Sequence, residues 1–191
     1  MKNKINIIIF IFGFFFLISE NSNANDDFIF ESDSIELLEN GNLIKASNDV
    51  KIKTNNGLII NSQQSIYSKI TKKLKLIGDV IIIDEKKNIT IQSEIIEYDK
   101  ISELITSKNE TSIIIENDFK IKTKNISFFK LKNIIKSEGK TILEDTFKNV
   151  VETNDFTYFL NNKEFRSKNL VITDKNLNKY FSNEAVIDLN K

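Results

Sequence analysis

Apolar and polar residues alternate along this chain in short stretches that recur about every thirty residues. Each copy is marked by a small hydroxyl residue that is followed five positions later by a large apolar or aromatic residue. The five pairs are Ser32/Leu37, Ser62/Tyr67, Ser93/Tyr98, Thr123/Phe128 and Thr153/Tyr158. Apolar residues also stand two positions before each hydroxyl, and a spacing of two on one face is strand spacing. The fixed period predicts a stack of similar β units, each burying its apolar face against its neighbours.

The buried face changes parity within each copy. In the second copy, Leu58, Ile60 and Ser62 share one parity, whereas Ser65 and Tyr67 have the other. A strand keeps one face buried across such a change only if an extra residue is inserted. We therefore expect a bulge or a corner just after the hydroxyl residue.

The second half of each copy has a glycine or an asparagine at one fixed place. These predicted bend residues are Asn48, Gly78, Asn109, Gly139 and Asn169. Both residue types tolerate positive φ better than most others, which predicts a bulge or sharp bend at each position. Strand-forming Val or Thr follows two positions later in every copy. Each copy is therefore predicted to contain two strands, and the chain to be all-β.

The N-terminus has the layout of a secretory signal peptide. Lys2 and Lys4 precede an apolar run over residues 5–18. Ser22 and Ala24 are the two small residues of a small-x-small cleavage pattern. The run is shorter than the ~20 residues that a membrane-spanning helix needs. We predict a cleaved signal peptide over residues 1–24 and one repeat domain over residues 25–191, with an uncleaved anchor as the alternative.

Composition excludes several functions. The 27 basic and 27 acidic side chains balance, which argues against a nucleic-acid partner, because that affinity comes largely from clustered positive charge. The chain has no His, Cys or Trp, so the usual proton shuttle, thiol nucleophile and transition-metal ligands are missing. We expect no catalytic residues, no metal and no cofactor.

Two remaining features have a chemical interpretation and a structural one. Asp84-Glu85 and Glu144-Asp145 stand at equivalent places and are either paired acids or Ca²⁺ ligands, or else polar residues at strand ends; the second interpretation is favoured. The column of hydroxyl residues has no accompanying base, so small side chains at a corner are favoured over a row of nucleophiles. The absence of proline leaves every backbone N–H available to a strand ladder, including those at the edges.

One stretch of the second copy carries a family resemblance. From Ile60 to Ile82 the chain contains Ile-x-Ser-x-x-x-Ile-Tyr and then Leu-x-Leu-x-Gly-Asp-Val-x-Ile. This pattern resembles the OstA-like repeat of the periplasmic lipopolysaccharide-transport domains of the LptA type. The resemblance covers residues 28 to about 189. Within the family it points to the N-terminal periplasmic domain of the LPS-assembly protein LptD, with the LptA and LptC types as alternatives.

The resemblance implies a β-jelly-roll of stacked V-shaped rungs that is open along one side. Its apolar groove would hold the acyl chains of lipopolysaccharide, and its end strands would pair edge to edge with neighbouring jelly-roll Lpt proteins. The predicted groove residues are Ile60, Ile91, Ile121, Leu74, Ile105, Ile135, Val50, Val80, Ile52, Ile82 and Ile113. The expected location is the periplasm, and an outer-membrane barrel or its partner lipoprotein is a further candidate partner.

Two other classes of protein stay open at this point. A β-helix that binds or cleaves carbohydrate also repeats along its length, but its enzymes need a cluster of acids or bases that no single copy here contains. A structural surface protein would have the same strands around a solidly packed interior.

Overall fold

The structure is a computed structural model that describes residues 28–189. This part of the chain forms sixteen β-strands. Their bounds are β1 Phe28–Glu31, β2 Ser34–Leu38, β3 Leu43–Thr54, β4 Leu58–Ser68, β5 Lys73–Asp84, β6 Ile89–Asp99, β7 Leu104–Ser107, β8 Thr111–Ile115, β9 Phe119–Thr123, β10 Ile126–Phe129, β11 Ile134–Ser137, β12 Thr141–Asp145, β13 Val150–Thr153, β14 Phe156–Phe159, β15 Glu164–Thr173 and β16 Lys179–Asp188. The predicted signal peptide lies outside the described residues.

The described residues also contain two single-turn 3₁₀ helices, Glu39–Gly41 and Lys130–Lys132. Neither has the length or the apolar composition of a membrane span. The prediction of an all-β fold is confirmed.

All strand pairs are antiparallel, and together they form two layers. The network divides at β6, which pairs with β8 through residues 89–93 and with β7 through residues 97–99. It closes again at β15, which pairs with both β13 and β14. The first layer contains β1, β8, β9, β12, β13 and the parts of the long strands within residues 50–61, 80–93 and 170–182. The second layer contains β2, β7, β10, β11, β14 and the remaining parts of those long strands.

The long strands cross from one layer to the other at a line of corners. The pairing register shifts between Ser47 and Val50, between Asn61 and Gln64, and between Ile77 and Val80. The shift between Asn61 and Gln64 lies where the sequence pattern changes parity, and the other two lie at the predicted bend residues Asn48 and Gly78. The result is a stack of bent rungs, as the predicted jelly-roll requires, while the count of five copies stays a prediction.

The five predicted bend residues fall into two groups. Asn48, Gly78 and Asn169 have positive φ, and the strand continues through each of them. Asn109 and Gly139 do not have positive φ, contrary to the expectation for this column. Instead, each lies in a gap between two short strands, so the chain bends there by interrupting the ladder.

The open edges of the stack are β1 and β2 at one end and β16 at the other. Every residue of β2 is exposed, and Leu37, an interior-facing residue by its pairing with Ile44, is 65% exposed. On β16, Phe181 and Val186 are 77% and 62% exposed. Among the described residues, both ends therefore present strands that are paired on one side only and carry exposed apolar side chains.

Candidate functional site

The predicted groove residues all lie in the interior between the layers. Each of the eleven is at most 1% exposed. Those in the first layer are Val50, Ile52, Ile60, Val80, Ile82, Ile91, Ile113 and Ile121, and those in the second are Leu74, Ile105 and Ile135. Their side chains form part of one apolar cluster that extends along the stack. That they hold a ligand remains a prediction.

Cross-strand pairing connects these residues into two continuous ladders. In the first layer, Ile82 is opposite Ile91, and Ile113 is opposite both Ile91 and Ile121. The ladder of the second layer contains aromatic residues that the sequence pattern marked without assigning them to the groove. It consists of Leu74, Tyr98, Ile105, Phe128, Ile135, Tyr158 and Phe165. The interior is therefore apolar without interruption through the middle of the stack.

Hydroxyl side chains form the boundary of the interior along the corners. All five hydroxyl residues that mark the copies donate to a backbone carbonyl there. The distances range from 2.7 Å for Ser32 to Ser34 O up to 3.3 Å for Thr123 to Lys124 O. These bonds give the carbonyl groups at the corners a side-chain donor. The column is thus structural, and the hydroxyl group contributes as well as the small size.

The type of residue two positions after each bend differs between continuous and interrupted strands. Where the strand is continuous this residue is Val50, Val80 or Val171; where it is interrupted the residue is Thr111 or Thr141. The Thr111 and Thr141 hydroxyls donate to the carbonyls of Asn109 and Gly139, at 3.0 and 2.8 Å. A side chain that bonds the backbone two residues earlier competes with ladder pairing. Threonine at this position therefore favours the interrupted bend.

Thr141→Val is expected to destabilise the protein by about 1–2 kcal/mol, because it leaves buried hydrogen-bonding groups without a partner. Thr141 is fully buried, and its oxygen also lies 2.7 Å from the Thr123 hydroxyl. Urea denaturation followed by circular dichroism measures the change. Thr106→Val is the matched control, since Thr106 is half-buried on the outer face of β7. Equal effects of the two substitutions would contradict the role given to the corner hydroxyls.

Opposite the corners, the turns of the two layers meet along a line of polar side-chain contacts, which we call the seam. Asn56 donates to Glu103 at 2.6 Å, and Lys130 donates to Asp84 at 2.5 Å. Two further contacts of the seam join Lys87 to Asn133 and Lys163 to Glu116. The partners of these four contacts are 46 or 47 residues apart, and those of a fifth, from Lys100 to Asn55 at 3.2 Å, are 45 residues apart. Side chains alone make these four contacts, whereas continuous strands join the layers at many of the corners.

The seam becomes more buried towards its middle. The side chains of Lys130 and Asp84 are only 7% and 3% exposed, compared with 37% and 35% for Lys163 and Glu116. Asp84 also accepts the backbone N–H of Lys87 at 3.2 Å. An ion pair this deeply buried requires both partners, since removing one leaves an uncompensated charge.

Two interior tyrosines reach the seam with their hydroxyl groups. Tyr98 donates to Glu103 at 2.8 Å and accepts from Asn56 at 3.1 Å. Burial raises the pKa of Tyr98 far above its usual value and is the largest effect. The hydrogen bond from Asn56 lowers this pKa, and Glu103 raises it further. Burial also raises the pKa of Tyr158 to about 12, and the charge of Glu116 adds to the effect. Both hydroxyls stay protonated over the whole physiological range.

The two acidic pairs of the sequence have separate structural roles. Asp84 belongs to the seam, whereas Glu85 is exposed. Glu144 pairs with Lys148 at 3.0 Å, and Asp145 accepts backbone N–H groups of its own turn. Within residues 28–189, His, Cys, Asp and Glu form no group of three or more that is arranged to hold a metal ion.

A concavity of about 830 Å³ lies outside the interior. Its lining includes Ile81, Gln92 and Ile142, which alternate along their strands with the buried columns. Three acidic and three lysine side chains surround them, including the exposed pair of Lys124 and Glu110 at 3.2 Å.

An antiparallel stack of bent rungs around a continuous apolar interior defines the class of protein, a β-jelly-roll with a buried core along its length. The sequence profile described as "OstA-like protein" matches residues 17–130, which is more than half of the chain. The chain belongs to the OstA-like family.

Other comparisons give weaker likenesses. Among solved structures, one match is LptH of Pseudomonas aeruginosa, described as the LptA homologous periplasmic component of the conserved lipopolysaccharide transport device. The match covers 85% of this chain and 95% of that chain, with 10% sequence identity and a TM-score of 0.30. A search of curated proteins finds no match.

Proposed function

We propose that this protein is a non-enzymatic lipid conduit in lipopolysaccharide transport and assembly at the Gram-negative outer membrane. The observation that carries the proposal is the uninterrupted apolar interior in a member of the OstA-like family. Each methylene of an acyl chain that is buried there would contribute about 0.8 kcal/mol. Several chains would therefore bind without any charged contact in the interior itself.

The exposed edges support a second part of the proposal, in which the protein works in line with other jelly-roll Lpt proteins. β16 is ten residues long, pairs only with β15, and carries exposed Phe181 and Val186. Backbone groups on such an edge are available to a strand of another protein. Native mass spectrometry over a range of concentrations tests this pairing, and a monomer at every concentration would count against pairing between copies.

The proposed location is the periplasm, in association with the outer membrane if the protein is of the LptD type. The LptD type carries a membrane barrel on the same chain, whereas the LptA type does not. The intact mass of the protein isolated from its own cells therefore separates the two types.

A structural surface protein is the second candidate, because the eleven predicted groove residues are packed with at most 1% exposure. A core that never admits a ligand would look the same. The two candidates differ in whether lipid reaches the interior.

Crosslinking from the interior distinguishes them, and Phe128 and Phe129 provide a matched pair. Phe128 is fully buried in the interior, whereas its neighbour Phe129 is half-buried on the outer face of β10. A diazirine-bearing phenylalanine analogue at position 128 is expected to yield at least a fivefold greater lipopolysaccharide adduct than the same analogue at position 129. Equal or absent adducts from position 128, in a protein with native circular dichroism, would support the structural candidate.

A further inference from the structure

The packed interior raises the question of where an amphiphile would pass between the layers. At the corners, β3, β4, β5, β6, β15 and β16 continue from one layer to the other, so parting the layers there would break strands. At the seam, the turns are joined across the layers by side chains. Their backbone bonds run instead to neighbouring turns of the same layer, as from Lys100 N–H to Lys72 O and from Lys130 N–H to Glu103 O. The seam is therefore the side on which the layers can part with all strand ladders intact.

The lysine contacts of the seam also indicate which ligand would favour the open state. Lys87, Lys130 and Lys163 each lie against a carboxylate or an amide of the opposite layer. When the layers part, these three ammonium groups lose their partners, and the carboxylates of Asp84 and Glu116 are released as well. A ligand shifts such an equilibrium only if it interacts better with the open state than with the closed one. A phosphate group provides that difference, because it forms charge-assisted hydrogen bonds with the released ammonium groups.

We propose that the seam is the entrance to the interior and the headgroup site of an amphiphile that bears phosphate groups and several acyl chains. The acyl chains pass between the layers, and the phosphates take over the lysines that Asp84, Asn133 and Glu116 hold in the closed state. This inference rests on the proposed function and adds the route and the headgroup chemistry to it.

The test uses crosslinks, for which the cysteine-free chain provides a clean background. Asn56→Cys/Glu103→Cys places one thiol on each side of the seam, and a short bis-maleimide then joins the layers. Ile70→Cys/Ile101→Cys is the matched control, because these 70% and 73% exposed residues lie on neighbouring turns of the second layer and their crosslink leaves the seam free. Native mass spectrometry measures the loading of hexa-acylated lipid A before and after each crosslink.

The expected result is that joining the layers slows lipid loading at least tenfold, whereas the control crosslink changes it less than twofold. Crosslinking the seam after loading is expected to retain the lipid against extraction. Unchanged loading of the protein with a crosslinked seam would overturn the proposal. If the uncrosslinked protein binds no lipid, the proposed function itself fails, and the entrance fails with it.

A second comparison tests the headgroup chemistry. Lipid A whose phosphates have been removed, with the same acyl chains, is expected to load about tenfold less than intact lipid A. Lys87→Gln/Lys163→Gln should reduce this difference, because it removes two of the three ammonium groups. Equal loading of the two lipids by the unaltered protein would overturn the assignment of the lysines to the headgroup.

Discussion

Ile91→Asp is expected to lower the free energy of unfolding by about 4 kcal/mol, because an unpaired carboxylate would be buried in the centre of the first layer. Ile91 is 1% exposed and lies between Ile82 and Ile113 in the apolar ladder. Urea denaturation monitored by circular dichroism gives the change in free energy. A small loss of stability together with a loss of lipid binding would instead indicate a spacious groove at this position.

Gln92→Asp is the control for this experiment. Gln92 follows Ile91 on β6 and is exposed on the outer face. The same carboxylate in the same strand is expected to change stability by less than about 0.5 kcal/mol. If both substitutions destabilise equally, the effect comes from strand propensity, and the burial of Ile91 is not its cause.

Lys130→Met is expected to destabilise the protein by about 3–5 kcal/mol, since it leaves the Asp84 carboxylate buried without its cation. The double variant Asp84→Asn/Lys130→Met should recover most of this loss. The asparagine side chain is neutral and keeps an oxygen for the backbone N–H of Lys87, which Asp84 accepts at 3.2 Å. A double-mutant cycle of urea denaturation curves measures the coupling between the two residues.

The exposed pair of Lys168 and Glu184 serves as the comparison for this cycle. Its nitrogen and oxygen are 3.3 Å apart, and both side chains are more than two-thirds exposed. Lys168→Met should therefore cost at most about 1 kcal/mol. A similar loss for Lys130→Met would mean that water reaches the middle of the seam.

Local periodicity in the sequence was sufficient to predict an all-β fold and its interior face, whereas the predicted two strands in each copy are divided into shorter strands at Asn109 and Gly139. The spacing of two within each copy identifies Ile60, Ile82 and Ile91 as members of one face, and the change of parity after Ser62 marks the corner at Gln63. These features depend on neighbours along the chain or in the adjacent strand. They are therefore visible in a single sequence with a repeat.

The two kinds of bend were only partly predictable. Glycine or asparagine occupies the bend in every copy, which suggested one geometry for all five. The distinguishing signal stands two positions later, where Thr111 and Thr141 replace the valines of the other copies. The competition between a threonine hydroxyl and a ladder bond decides the geometry, and residue identity at the bend itself does not report it.

The sequence pattern did not predict the seam. Asp84 was interpreted as a polar strand end, and Lys130 stands in a different copy in an ordinary-looking turn. Their pairing depends on the angle at which the layers cross, which no local pattern encodes. From the sequence alone, Lys130 in a turn and Asp84 at a strand end are both expected to be solvated. Only the fold shows that they contact each other.

The nearly constant separation of 45 to 47 residues between the turns that meet at the seam limits how a chain of this kind can change length. Each full copy adds one turn to each layer, so duplication or deletion of a whole copy keeps every later turn opposite a partner of the same type. Loss of half a copy would remove a turn from one layer only and would put all later turns out of step. Shortened, lengthened or chimeric versions should therefore be cut and joined in whole units of about thirty residues.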